Sequence, residues 1–311
     1  MGATADADAL TDLNQRFGSP ALRFIAGDGG LPMVKVSNDH AFALISLHGA
    51  QVLSYRPVRC KDVLWRSKRS WYEADKPIRG GIPICFPWFG PHPQDAAKPA
   101  HGFARALPWR PTWSGANPQG ATLLALELTD TDYTRLLWPH RFRLEAAITV
   151  GAALDLELRI HNTGDQSFSL SAALHTYLAI SDIRRIGISG LAGRTCVDRM
   201  AKNARRDETR PTVVISEETD RIYVDAPGPC TVEDADWKRT ISVAKRGSRS
   251  TVVWNPWIAK ASRMPDFGPE EWPHMLCIEA ANVLEDEVTV PPGGCHSLAT
   301  VLSSTEAASG G

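Results

Sequence analysis

The stretch "RLEAAITVGAALDLELRIHNTG", residues 143–164, decides the fold. Within it Leu154, Leu156, Leu158 and Ile160 alternate with Asp155, Glu157, Arg159 and His161, a period of two that turns one face to a core and the other to water. The segment "TVGAALD" before it reads as the turn of a hairpin. Outward from there, runs such as "MVKVSN", "AFALISL", "QVLSYRP" and "ATLLALELT" repeat the strand rhythm, separated by Gly, Pro, Asn and Asp. Helical windows are few: residues 7–17 and a turn near 70–74. Nothing repeats a strand–helix–strand unit, so the expected class is all-β, a large antiparallel sandwich with few short helices. No internal repeat, low-complexity block or linker divides the chain. One domain over 1–311 is expected, with about 1–20 and 304–311 as peripheral tails and "TEAASGG" frayed at the end.

Composition narrows the function classes. Of 311 residues, 43% are hydrophobic and 22% charged, as in ordinary globular proteins. Thirty-four Lys and Arg against 35 Asp and Glu give a net charge of −1, which removes any global electrostatic argument for nucleic acid or a membrane surface. The sequence has no run of about 18 apolar residues, and its start lacks a basic region and an apolar h-region. The expectation is a cytoplasmic protein with no membrane or nucleic-acid partner, its oligomeric state open and a monomer favoured. Cysteines 60, 85, 196, 230, 277 and 295 lack CxxC spacing and read as reduced packing residues. Nine histidines include no HExxH pair, so no metal is expected. Dinucleotide, P-loop and nucleophile-elbow signatures are missing as well.

Chemistry-bearing residues stand out by their surroundings. In "IRGGIPICFPWFG", 78–90, three glycines and two prolines fix a loop whose single charge is Arg79. In "AHGFARALPW", 100–109, His101 and Arg105 stand among small and apolar neighbours. Two arginines on such segments can converge on a phosphate or carboxylate, because a guanidinium offers paired donors in a planar fork. Spacing alone makes a surface salt bridge the commoner fate of each. His175 is the one group in "SFSLSAALHTYLAI", 167–180, that ordinarily titrates near neutral pH, and Glu279 the one carboxylate in "MLCIEAANVL", 275–284. A lone histidine in an apolar strand is more often a core residue than a catalyst, and a lone buried carboxylate is costly unless it is used. Together they are the two parts that acid–base catalysis requires. Asp220 precedes a strand in "EETDRIYVDAPG", 217–228, and alone would be an ordinary strand-start aspartate. Ten tryptophans, among them Trp88, Trp254, Trp257 and Trp272, suit sugar rings, though core or rim packing is the commoner use.

Taken in order, "IRGGIPICFPWFG", "HGFAR", "LHTYLAI", "TDRIY", "WNPW" and "MPDFGPEEWPHMLCIEAANV" resemble the hexose-6-phosphate mutarotase (glucose-6-phosphate 1-epimerase) branch of the aldose 1-epimerase superfamily, over roughly residues 30–302. The resemblance implies a galactose mutarotase-like supersandwich and an isomerase that needs no cofactor and takes a small hexose 6-phosphate. It implies that His175 protonates the ring oxygen and Glu279 takes the anomeric proton. Asp220 would hold sugar hydroxyls, Arg79 and Arg105 would recognise the phosphate, and His101 would border the site. Two alternatives stay open: a mutarotase of free sugars, and a sugar-phosphate binding protein without turnover.

Overall fold

In the computed structural model, which describes residues 6–306, the deciding stretch forms the strands Phe142–Val150 and Leu154–Asn162. They pair antiparallel from Phe142↔Asn162 to Val150↔Leu154, and the Gly151 N–H donates to the Ala153 carbonyl at 3.0 Å to close the turn. Burial alternates without a break along both strands, so Leu144, Ala146, Ile148, Leu156, Leu158 and Ile160 all face the core. Each such Leu or Ile contributes about 1.5–3 kcal/mol over the exposed state. A slip of one residue would turn the whole set to water, which pins the register.

This hairpin belongs to a nine-stranded sheet in the order Thr212–Val213, Ile186–Ser189, Cys230–Asp234, Arg239–Arg246, Cys295–Glu306, Leu154–Asn162, Phe142–Val150, Thr122–Thr129, Arg110–Ala116. Facing it is an eight-stranded sheet in the order Ala204–Asp207, Thr195–Asp198, Thr219–Val224, Ser250–Asn255, Met275–Asn282, Ala172–Leu174, Ile84–Cys85, with Tyr177–Ala179 also on Met275–Asn282. A four-stranded meander, Leu22–Ala26, Pro32–Ser37, Ala41–Ser46 and Gln51–Pro57, joins the same core. Leu158 and Ile160 of one large sheet and Leu174, Val253, Ile278 and Ala280 of the other lie in one apolar cluster, the filling of a sandwich. Alternation leaves the second face of the eight-stranded sheet with Cys85, Ala173, Val197, Ile222, Val252 and Ala281. That face carries the candidate site.

The expected helix Ala7–Phe17 is present, begun by Asp6, whose side chain accepts from the Asp8 N–H. It buries no residue fully, but Leu10, Leu13 and Phe17 rest on the core, and Asn14 brackets Phe24 by accepting its N–H and donating to its carbonyl. Around 70–74 the chain is not helical: Ser70 Oγ accepts from the Arg79 N–H at 2.7 Å, and turns stand at 68–69 and 74–75. Two short helices escape the sequence reading, Asp132–Leu137, started by a Thr131/Thr134 capping box, and Trp257–Ala261. Neither is long enough to show a helical period. At the carboxyl end Thr305 and Glu306 are not frayed but paired with Thr240 and Arg239; the rest of "TEAASGG", like residues 1–5, lies outside the described residues.

Candidate active site

The strand Met275–Asn282 is buried throughout, and two short strands pair with it in one register. Ala173 stands opposite Ala281 and Tyr177 opposite Cys277, so His175, in the break between the short strands, falls directly opposite Glu279. Val252 flanks Glu279 on the other side, Ile222 flanks Val252, and Val197 follows, which puts the pair at the end of an apolar row. His175 Nε2 lies 3.3 Å from Glu279 Oε1, with side chains 8% and 1% exposed. Among the described residues neither carboxylate oxygen of Glu279, nor Nδ1 of His175, has a hydrogen-bond partner. Buried polar atoms left this way are costly, and their concentration at one spot marks it as a place where a ligand completes the bonding.

Burial pushes the Glu279 carboxyl well above its ordinary range, Asp220 adds to this, and Arg199 and Arg105 oppose it. Burial, then Arg105 and Arg79, push the His175 imidazole well below its ordinary value. Both directions favour the uncharged forms. A protonated Glu279 beside a neutral His175 carries the same single proton as an ionised Glu279 beside a protonated His175. The pair can therefore take a proton on the carboxylate while giving one from the ring.

The other expected residues gather around this pair. His175 stacks on Tyr177 with ring centroids 4.7 Å apart and 11° between planes. Arg79 Nη1 donates to the Tyr177 hydroxyl at 3.0 Å, and its Nε donates to Asp266 at 3.1 Å. Two residues after Arg79, Gly81 lets the loop lie close against Val52: its φ is +62°, and a Cβ there would sit 2.2 Å from the Val52 carbonyl oxygen. His101 holds a left-handed φ of 63° and meets His175 edge to face at 5.6 Å. Its Nδ1 accepts from the Gly90 N–H at 3.3 Å, which places the ring proton on Nε2. Burial, then Arg105 and His175, keep that ring neutral. Arg105 donates to the Ala100 carbonyl at 2.8 Å, and burial lowers its pKa. Asp220 lies inside the strand Thr219–Val224 rather than before it, opposite Trp254. Burial raises its carboxyl.

Four residues of this neighbourhood are not among those read from the sequence. Tyr177 and Cys277 are each two positions from a candidate, and strand alternation would have put them on the same face. Arg199 carries no sequence signal, and Asp266 stands in the quoted segment "MPDFG" with nothing there to single it out. Arg199 Nε sits 3.9 Å from Asp220, and its guanidinium faces Gly90, where a Cβ would come within 3.7 Å.

The sequence and the fold that carry this pair have counterparts among known proteins. Residues 32–303 match the aldose 1-epimerase family. The chain belongs to that family. A Cenchrus ciliaris relative named "Putative glucose-6-phosphate 1-epimerase" is 34% identical over 284 residues, 88% of this chain and 85% of its own length. The Salmonella typhimurium crystal structure described as "a putative mutarotase (YeaD)" superposes with a TM-score of 0.87 at 30% identity, covering 94% of this chain and 96% of the other. At 14% identity, a galactose mutarotase related enzyme from Lactobacillus acidophilus shares the fold with a TM-score of 0.70, over 88% of this chain and 97% of that one. This aldose 1-epimerase family member is thus an isomerase with a galactose mutarotase-like fold. Among its described residues no helix is long and apolar enough to cross a membrane.

Proposed function

We propose that the protein interconverts the α and β anomers of hexose 6-phosphates, glucose 6-phosphate first among them. The observation that carries the reading is the His175–Glu279 pair, 3.3 Å apart, buried, with Glu279 unpartnered on both oxygens. Glu279 takes the proton from the anomeric hydroxyl, the C1–O5 bond breaks as C1 becomes an aldehyde, and O5 receives a proton from His175. Ring opening leaves the pair in its uncharged form, the one that burial favours. Rotation about C1–C2 presents the other face of the aldehyde. The ring recloses by the same transfers in reverse, so the only net change is the configuration at C1.

Asp220 is assigned to the sugar hydroxyls, with Trp254 as a wall 6.0 Å from the His175 ring. His101 borders the ring through its Nε2–H donor. Arg79 and Arg105 are assigned to the phosphate, for which a planar cation is suited. One observation favours the free-sugar reading: Arg79 already donates to Asp266 and Tyr177 inside the protein. Exchange NMR on glucose 6-phosphate and glucose side by side separates the two. Faster exchange of the phosphate alone, reduced by Arg105→Gln, is the expected result; equal acceleration of both sugars would transfer the assignment to free hexoses.

A further inference from the structure

We propose that His175, Cys277 and Glu279 form a binding site for a thiophilic divalent cation of the Zn2+ and Cd2+ class, and that the bound ion inhibits the enzyme reversibly. Their ligating atoms all lie within 4.8 Å of one another, and all three residues are buried. Contiguous motifs do not reveal this set, because the sheet assembles it. Cys277 and Glu279 are two positions apart on one strand and share a face, while the register sets His175 opposite Glu279. A thiol, an imidazole and a carboxylate suit zinc-like ions, whereas magnesium and calcium prefer oxygen alone.

The geometry is close to what such an ion needs. Bonds of 2.0–2.3 Å in a tetrahedron separate ligand atoms by about 3.3–3.8 Å, so closure takes side-chain shifts of about an ångström. Glu279 has no hydrogen bond to give up, since both its oxygens are unpartnered. On coordination Cys277 releases its thiol proton and the His175–Glu279 pair its shared proton, both to solvent, and no group changes oxidation state. His175 Nδ1 also lacks a partner, so the imidazole would have no supporting bond behind it. Ligands without that support hold metals more weakly by about 10–100-fold, which makes the ion a reversible occupant rather than a resident one. Inhibition rests on the catalytic roles proposed above; binding of the ion does not.

The test is a titration of the metal-free full-length protein with Co2+, a zinc substitute whose thiolate complex has a charge-transfer band. The expected result is a band saturating at one equivalent, lost in Cys277→Ala and retained in Cys295→Ser. The second variant matters because Cys295 Sγ lies 3.9 Å from His161 Nε2 and is the competing thiol–imidazole pair. Glu279→Gln should weaken Co2+ binding by about tenfold or more, which keeps the question decidable if Cys277→Ala does not fold. Zn2+ should slow anomerisation of the parent protein, and Cys277→Ala should need about tenfold more ion for half inhibition, each scored against its own metal-free rate. A missing band, a band that survives Cys277→Ala, one lost in Cys295→Ser, or unchanged binding by Glu279→Gln overturns the site. A normal band in a protein without turnover leaves the site standing and removes the catalytic reading instead.

Discussion

Arg79 is held by Asp266, a residue 187 positions away: Nε and Nη2 donate to the two carboxylate oxygens at 3.1 and 3.3 Å. Its third nitrogen donates to Tyr177, which stacks on His175. Asp266, itself buried, therefore anchors a chain of contacts that ends on the His175–Glu279 pair, and under the proposed function it would act as a positioning residue.

Asp266→Asn keeps the volume and removes the charge. A hydrogen bond to a charged group is worth about 1.5–3 kcal/mol, so KM for glucose 6-phosphate should rise about tenfold or more while kcat changes less. An unchanged KM in the folded variant would show that Arg79 does not need this hold.

Stability offers an independent reading of Glu279. Burial raises its folded-state carboxyl well above the ordinary value of 4.5, so between that value and its folded pKa the unfolded chain is ionised while the folded one is not. The group thus destabilises the fold increasingly as pH rises above the unfolded value, and adds no such cost below it. Glu279→Gln should raise Tm at neutral pH by about 2 °C or more. The gain should vanish near pH 4, as thermal scans over pH will show. A variant less stable at every pH would contradict the burial argument.

The pH profile of kcat/KM follows from the same directions. A second proton enters the pair only when His175 charges, which its lowered pKa postpones to acid pH. The shared proton leaves only when Glu279 ionises beside a neutral ring, which its raised pKa postpones to alkaline pH. A plateau across neutrality is expected, with an acid limb lying below the ordinary histidine range of about 6.5. A rate that titrates at that ordinary value would place the working proton on another histidine.

Much of this was legible in the sequence because strand alternation is a local code. Leu154 to Ile160 declare their buried face, and the hairpin that carries them sets the sandwich. His175 and Glu279 are visible as a lone imidazole and a lone carboxylate in apolar runs, but their opposition is not, since register is settled by Ala173, Ala281, Tyr177 and Cys277. Arg199 lies in no quoted motif, and Asp266, though inside "MPDFG", could not be singled out. Each sits outside any periodic run and reaches the site through tertiary contacts with Arg79 and Asp220. The helix Asp132–Leu137 was hidden for another reason: its start depends on Thr131 and Thr134 bonding reciprocally, a pattern that common turns share.

The most direct test of the account is the exchange-NMR rate of glucose 6-phosphate anomerisation, with the spontaneous rate subtracted, for the parent protein, Glu279→Gln and His175→Asn. General acid and base contributions are worth about 10²–10⁴-fold, so each folded variant should lose at least about 100-fold. Near-parental exchange in either one would contradict the assignment of the proton transfers to this pair.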